Sequence, residues 1–279
     1  MLGLSRVPPT VLLPINRVVR AVLEQAEGLA QDDIMLVGAC CRDVLHSALG
    51  HTFPTTATSD LDLALGLSSW QAFDALASAF TPISNTGIRF RIADVDVDLL
   101  PFGGVEDPPG QVDPPTRGES MSVWAFDEIF AASLELPLAP DLTIRLPTVA
   151  GYAGAKMGAW LDRSVNFEVK DAPDLALVLF WYFDSPEVRD RLYDTPEGIN
   201  ILLQYDADRD LAAAHLLGVD VATTIKQDRL VELLGRWPGN AELLIRELLV
   251  RGSPPSISDR NRRQEILEAL TSGLDHSVE

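Results

Sequence analysis

Lysine is almost missing from this chain. The 279 residues include Lys156, Lys170 and Lys226 and no other lysine, and Lys and Arg together number 22 against 41 Asp and Glu, a formal net charge of −19. A protein that grips a long nucleic acid needs cationic contacts along its track. That class is excluded as the main use of this surface, and a nucleic acid would have to be held at one end or by one patch. A cationic small molecule or a basic protein suits the overall field better. Cysteine is equally scarce: Cys40 and Cys41 are adjacent, a spacing that rarely closes an unstrained disulfide, so the expected compartment is the cytoplasm. No apolar stretch reaches the ~20 residues that cross a bilayer, and prolines interrupt the apolar N-terminal stretch, unlike a signal peptide. No membrane association is expected. The four histidines, His46, His51, His215 and His276, lack ligand spacing and read as packed or solvated. No internal repeat and no low-complexity segment is found.

What is present is ordinary for a globular protein: hydrophobic residues make up 47% and charged residues 23% of the chain, and the length suits one large domain or two modest ones. Ile15, Val18, Val19, Val22 and Leu23 recur at helical spacing within residues 14–29. Ile34 to Val37 reads as a short buried strand, followed by a turn at Gly38 and a helix. "SDLDLALGL" is a second strand, and "SSWQAFDALASAF" a Ser-capped amphipathic helix. "IRFRIADVDVDLLPFGG" reads as two strands joined near Ala93-Asp94 and ended by Pro101 and Gly103. Residues 106–119, rich in Pro and Gly, read as a loop. A strand then precedes a helix from about Thr148, and helices follow from Asp171 onward. The fold class expected is α/β (α+β): a small mixed-sheet domain over 1–147 and a mostly helical domain over 148–279.

The stretch "TSDLDL" carries the first chemistry. A strand alternates its side chains, so Asp60 and Asp62 share a face while Leu61, Leu63 and Leu65 point the other way. Two adjacent carboxylates repel unless something offsets their charge, and a divalent cation is one such partner; a solvated strand end is the plain alternative. "DVDVD" puts Asp94, Asp96 and Asp98 on one face if that segment is extended throughout. Asp98 sits deepest, and beside the first strand it would complete a three-carboxylate set suited to magnesium and phosphate oxygens. Gly38, between a strand and a helix, would let a phosphate approach backbone N–H groups. Arg42 and Asp43 either belong to that turn or form a local ion pair.

"VGACCRDVL" followed by "SDLDLAL" and a third Asp resembles the nucleotidyltransferase superfamily, which shares the DNA polymerase beta-like fold and includes the CCA-adding and aminoglycoside-modifying enzymes. The likeness is closest to the AbiEii-type toxin nucleotidyltransferases and spans about residues 34–180. It implies a magnesium- or manganese-dependent transfer of NMP from an NTP to an acceptor, an RNA end such as the 3′ end of tRNA, by the toxin of a toxin–antitoxin pair with a cognate antitoxin as partner. It assigns Asp60, Asp62 and Asp98 as metal ligands and catalytic groups, with Gly38, Ala39 and Ser59 at the nucleotide. Lys156 and Arg163 would hold the outer phosphates, and Asp171 or, better, Asp174 would orient Lys156 or the acceptor. Two departures stand out: Ala39 replaces the usual Gly or Ser, leaving Ser59 to supply a hydroxyl, and the gap from Gly38 to Asp60 is long. Lys156 and Arg163, seven apart, share a helix face and suit phosphates; Trp160 between them reads as core. Asp171 and Asp174 flank Pro173 as in an ordinary helix cap. The alternatives in view are a small-molecule or protein nucleotidyltransferase and, from another class, an inactive nucleotide-binding or partner-binding module. The cluster Arg260, Arg262, Arg263 reads as a solvated helix face or, as the lesser alternative, a patch that docks an RNA end or an acidic partner segment.

Overall fold

The computed structural model describes residues 2–26, 28–115, 118–250 and 259–276. The chain divides into two compact units, Leu2–Thr148 and Val149–Glu279.

The first unit is built on a seven-stranded mixed sheet. Helix α1 (Pro9–Gln25) precedes strand β1 (Ile34–Val37), helix α2 (Gly38–Ala48), strand β2 (Asp60–Leu67) and helix α3 (Trp70–Ala79). Strands β3 (Thr81–Pro82), β4 (Arg89–Ile92) and β5 (Val95–Gly103) follow, then β6 (Gln111–Val112), β7 (Met121–Ser122), helix α4 (Phe126–Ala131), β8 (Leu134–Ala139) and β9 (Leu142–Leu146). The sheet order is β3-β4-β5-β2-β1-β9-β8, with β6 and β7 as a separate ribbon. The apolar side of α1 is the one the spacing indicates: Ile15, Val18, Val19 and Val22 are buried. Strand β1 is buried at all four positions, as a central strand flanked by β2 and β9 must be.

Several boundaries differ from the sequence reading, each for a visible reason. Helix α1 starts before Pro14 and stops at Gln25. Ser69 stands at the N-cap of α3 without a side-chain capping bond. The join expected near Ala93-Asp94 is there: both residues take positive φ, 49° and 65°, and form the tight turn between β4 and β5, so Asp94 does not extend the face of Asp96 and Asp98. Pro101 does not end β5 but pairs with Leu65 inside it. Pro101 shares its parity with Leu99, whose N–H reaches the Ile88 carbonyl at 2.8 Å, so the missing N–H falls beyond the start of β4. Within the proline-rich segment, Glu106 accepts from the backbone N–H of Gly103 at 2.8 Å and of Gly110 at 2.6 Å. This fixes a turn that feeds the β6–β7 ribbon.

The second unit is helical: α5 (Val149–Arg163), α6 (Ala172–Asp184), α7 (Pro186–Asp194), α8 (Pro196–Gln204), α9 (Arg209–Leu234), α10 (Ala241–Glu247) and α11 (Arg260–His276). Side-chain caps at Ser185, Thr195, Asp208 and Asn240 start four of these helices, each satisfying otherwise orphaned N–H groups. Helix α9 bends at Lys226, whose φ of 63° is not helical. No helix is long and apolar enough to cross a membrane among the described residues.

Candidate active site

The acids of β2 and β5 meet because the two strands run parallel in register, with Asp60 opposite Asp96 and Asp62 opposite Asp98. On the opposite face Leu61, Leu63, Leu65, Val97 and Leu99 are buried, and a one-residue slip would turn the carboxylates into that core. The apolar residues therefore fix the acids' register. The Asp60, Asp96 and Asp98 side chains remain partly open, at 33%, 27% and 20% exposure.

Asp62 lies against the start of α2. Gly38 follows β1 with φ +65°, and a Cβ there would run into the Asp62 carboxylate, with the carboxyl carbon 2.7 Å away. Glycine is thus required twice, for its backbone conformation and for this close approach. The space the glycine leaves open, where a phosphate was expected, is filled by Asp62. Thr58 donates its hydroxyl to the Asp60 carboxylate, whereas Ser59, the expected hydroxyl, is exposed. The Cys40 thiol is pushed up to about 12 by burial and by the charges of Asp43, Asp62 and Asp60. It stays protonated, and its shift records the negative field of the cluster.

The sequence reading missed Arg89. It pairs across β4–β5 with Asp98 and stands among three carboxylates: its Nη2 is 3.4 Å from Asp60 and 3.9 Å from Asp96, and its Nε is 3.8 Å from Asp98. Arg91, two residues on and on the same face, contacts Asp96 at 2.8 Å. Its signal was the pattern "RFRI", two cations at strand spacing one tight turn from "DVDVD". Arg42 belongs to the local structure: it contacts Asp43 at 2.9 Å and donates to the Thr56 carbonyl at 2.6 Å, pinning the loop before β2.

Comparison with protein-family models gives no match, and comparison with curated proteins gives none. The chemistry of the site therefore rests on its own geometry. Carboxylate oxygens are the donors that magnesium and manganese take, and Asp60, Asp62 and Asp98 present them from two paired strands beside a helix start. The donor set fits such an ion. Among the described residues, no group of three or more Asp, Glu, His or Cys stands preassembled at metal-ligand geometry.

In the helical unit the sequence-assigned residues do come together, but on one another. The Lys156 ammonium contacts Asp174 at 2.6 Å and Asp171 at 3.3 Å. Arg163 Nη1 donates to both oxygens of Asp171, at 3.0 and 2.9 Å. Burial pulls the Lys156 amine down, but Asp174 and Asp171 outweigh it and hold the group above its ordinary value. Asp171 stands at the N-cap of α6 without a capping bond; its carboxylate serves the two cations instead. Trp160 is core, fully buried, with its indole N–H donating to the Pro238 carbonyl at 3.0 Å.

Of the C-terminal arginines only Arg260 lies on a solvated face, 52% exposed. Arg263 is buried and donates to the Ile245 carbonyl at 2.6 Å, because α11 turns that position inward. Arg262 forks onto Asp208 at 2.7 and 2.8 Å, and Arg260 contacts Glu242 at 2.6 Å. His46 packs against His51 and Phe53 and is lowered to about 4 by burial and by His51. His215 bonds Tyr205 at 3.0 Å. The side chain of His276 lies outside the described residues.

Proposed function

We propose that the Leu2–Thr148 unit carries the centre of a metal-dependent nucleotidyltransferase, with an NTP as donor and a hydroxyl as acceptor. The observation that carries this reading is the parallel register Asp62↔Asp98, which sets a third carboxylate beside an Asp-x-Asp pair next to a glycine-started helix. The resemblance in "VGACCRDVL" and "SDLDLAL" supports it. Asp60, Asp62 and Asp98 would hold magnesium or manganese. A divalent ion bound there supplies charge neutralisation for phosphoryl oxygens. Asp98 accepts the acceptor's proton as the hydroxyl oxygen bonds to the α-phosphorus, and the α–β bridging P–O bond breaks to release pyrophosphate. Thr58 fixes the rotamer of Asp60, and the α2 start holds Asp62.

The acceptor proposed is an RNA end, the tRNA 3′ end first, with a cytoplasmic toxin–antitoxin role and a cognate antitoxin as partner. A small cationic acceptor of the aminoglycoside kind is the second reading. The net charge of −19 and the engagement of Arg260, Arg262 and Arg263 with protein acceptors favour it.

The test is incubation of the full chain with each labelled NTP and magnesium, against total RNA, protein lysate or aminoglycosides in turn. Label should pass to one acceptor class. Asp60→Asn and Asp62→Asn should each cut transfer by about 10³-fold or more, the scale of losing several kcal/mol of charge stabilisation, with circular dichroism unchanged. Transfer near wild type in both variants would refute the assignment.

A further inference from the structure

We infer that Arg89 is the resident counter-cation of the acid cluster: it holds Asp60 and Asp98 in place when no divalent ion is bound and competes with that ion for them. The inference rests on the proposed metal-dependent reading of the site and concerns a residue that the reading leaves without a role.

The geometry is specific. Arg89 is the cross-strand partner of Asp98, so its stem rises from the sheet directly beside the acids and cannot drift away with a loop. The guanidinium reaches Asp60 on one strand and Asp96 and Asp98 on the next, at 3.4 to 3.9 Å. These contacts are long for a charge-assisted hydrogen bond, which prefers about 2.7–2.9 Å. Arg89 therefore shares one charge among three carboxylates instead of locking onto one. Asp171 in the helical unit is the contrasting case, held by Arg163 at 2.9 and 3.0 Å. A shared, loosely held guanidinium offsets repulsion between Asp60 and Asp98 while remaining displaceable.

The charges agree with this role. Arg89 contacts Asp60, Asp96 and Asp98 and Arg91 contacts Asp96; with Asp62, the register partner of Asp98, four aspartates and two arginines leave a formal excess of two negative charges, which one divalent ion would neutralise. Were Asp60 and Asp98 to hold a divalent ion, Arg89 would keep only its 3.9 Å contact to Asp96, with its guanidinium still beside the site. There it can meet the anionic tail of a triphosphate. Arg89 is thus a positioning residue for the acids.

The test uses the full chain, manganese alone as probe, and two readouts that do not depend on turnover: Mn²⁺ affinity by calorimetry and the melting temperature without metal. Arg89→Gln removes the charge and keeps much of the bulk. It should lower the metal-free melting temperature and tighten Mn²⁺ binding by about fivefold, the scale of a half-exposed ion pair. Arg89→Lys restores the charge and should return both readouts to within about twofold of wild type in affinity. Arg91→Gln, which loses a contact to Asp96 alone of the acids, should leave Mn²⁺ affinity unchanged. If Arg89→Gln does not fold, Arg89→Met, which also removes the charge, decides: tighter Mn²⁺ binding than wild type supports the inference, and equal or weaker binding overturns it. Equal or weaker Mn²⁺ binding in a folded Arg89→Gln, with wild type binding Mn²⁺ normally, overturns the role of Arg89 and leaves the catalytic reading intact. No Mn²⁺ binding by wild type, with full transfer in Asp60→Asn, overturns both.

Discussion

Two charged clusters in this protein are made of the same residue types and behave in opposite ways. In the sheet unit, four aspartates on β2 and β5 face two arginines, the side chains stay partly exposed, and the cation contacts at Asp60 and Asp98 are long. In the helical unit, two aspartates face Lys156 and Arg163, the contacts are short, and the Asp171 side chain is 1% exposed. The first cluster carries excess negative charge and stays partly open to water. The second is neutral, with its carboxylates buried and Arg163 reaching water. In the sequence both look like catalytic sets. The difference lies in pairing and burial: a charge taken out of water persists only where a partner compensates it.

The sharpest way to break this contrast is to remove one carboxylate from each cluster and compare metal-free stability. Asp171→Ala strips Lys156 and Arg163 of a buried partner. The loss should be about 3 kcal/mol, the low end for breaking a buried pair, because Lys156 keeps Asp174 and Arg163 is 40% exposed and can regain water. Asp62→Asn, by contrast, relieves like-charge repulsion and should leave the metal-free melting point level or raised. Chemical denaturation of the two variants side by side decides it. The same sign of effect in both would mean that the clusters do not differ in kind. The Lys156 network also gives that lysine a structural role in its own unit, so Lys156→Met should lower stability before it alters any nucleotide affinity.

Gly38→Ala is next in size. The residue must leave its positive φ or accept strain of ~1–2 kcal/mol, and the new methyl must push the Asp62 carboxylate aside. A total loss of about 2 kcal/mol is expected, together with weaker Mn²⁺ binding. An alanine variant with wild-type stability and metal affinity would show that Asp62 does not need the glycine.

How much of this was legible follows from what each signal depends on. Alternation in "SDLDLAL" placed Asp60 and Asp62 on one face because burial of Leu61, Leu63 and Leu65 is a local pattern. That β2 lies beside β5 was stated only as a condition, since strand pairing is non-local and no residue of either strand records its neighbour. Arg89 had a local signal in "RFRI" one turn from "DVDVD", but its contact to Asp60, twenty-nine residues away in sequence, depends on the non-local pairing of β2 with β5. The turn at Ala93-Asp94 was legible from the break between two alternating runs, and it is this turn that takes Asp94 off the face Asp96 and Asp98 share. Arg260 is solvated as the sequence suggests, but Arg263 was misread because "RNRR" looks polar all round, whereas the chain buries Arg263 against a helix-end carbonyl, an acceptor that composition cannot reveal. The helical elements of the second unit were the easiest, since caps such as Ser185-Pro186 and Thr195-Pro196 are written in adjacent residues.

The smallest effect separates pairing from burial within one helix. Arg260 and Glu242 are 52% and 78% exposed, so despite a 2.6 Å contact their pair is hydrated and screened. Arg260→Gln should cost no more than about 0.5 kcal/mol, and the difference from wild type should vanish in high salt. Arg263→Gln, three positions on, removes a buried donor from the Ile245 carbonyl and should cost about 1–3 kcal/mol at any ionic strength. Denaturation curves at two salt concentrations supply the measurement. If Arg260→Gln instead leaves stability untouched but weakens binding of a tRNA 3′ end, Arg260 is a docking residue and the RNA acceptor gains over the cationic small molecule. Unchanged binding leaves Arg260 as a surface pair.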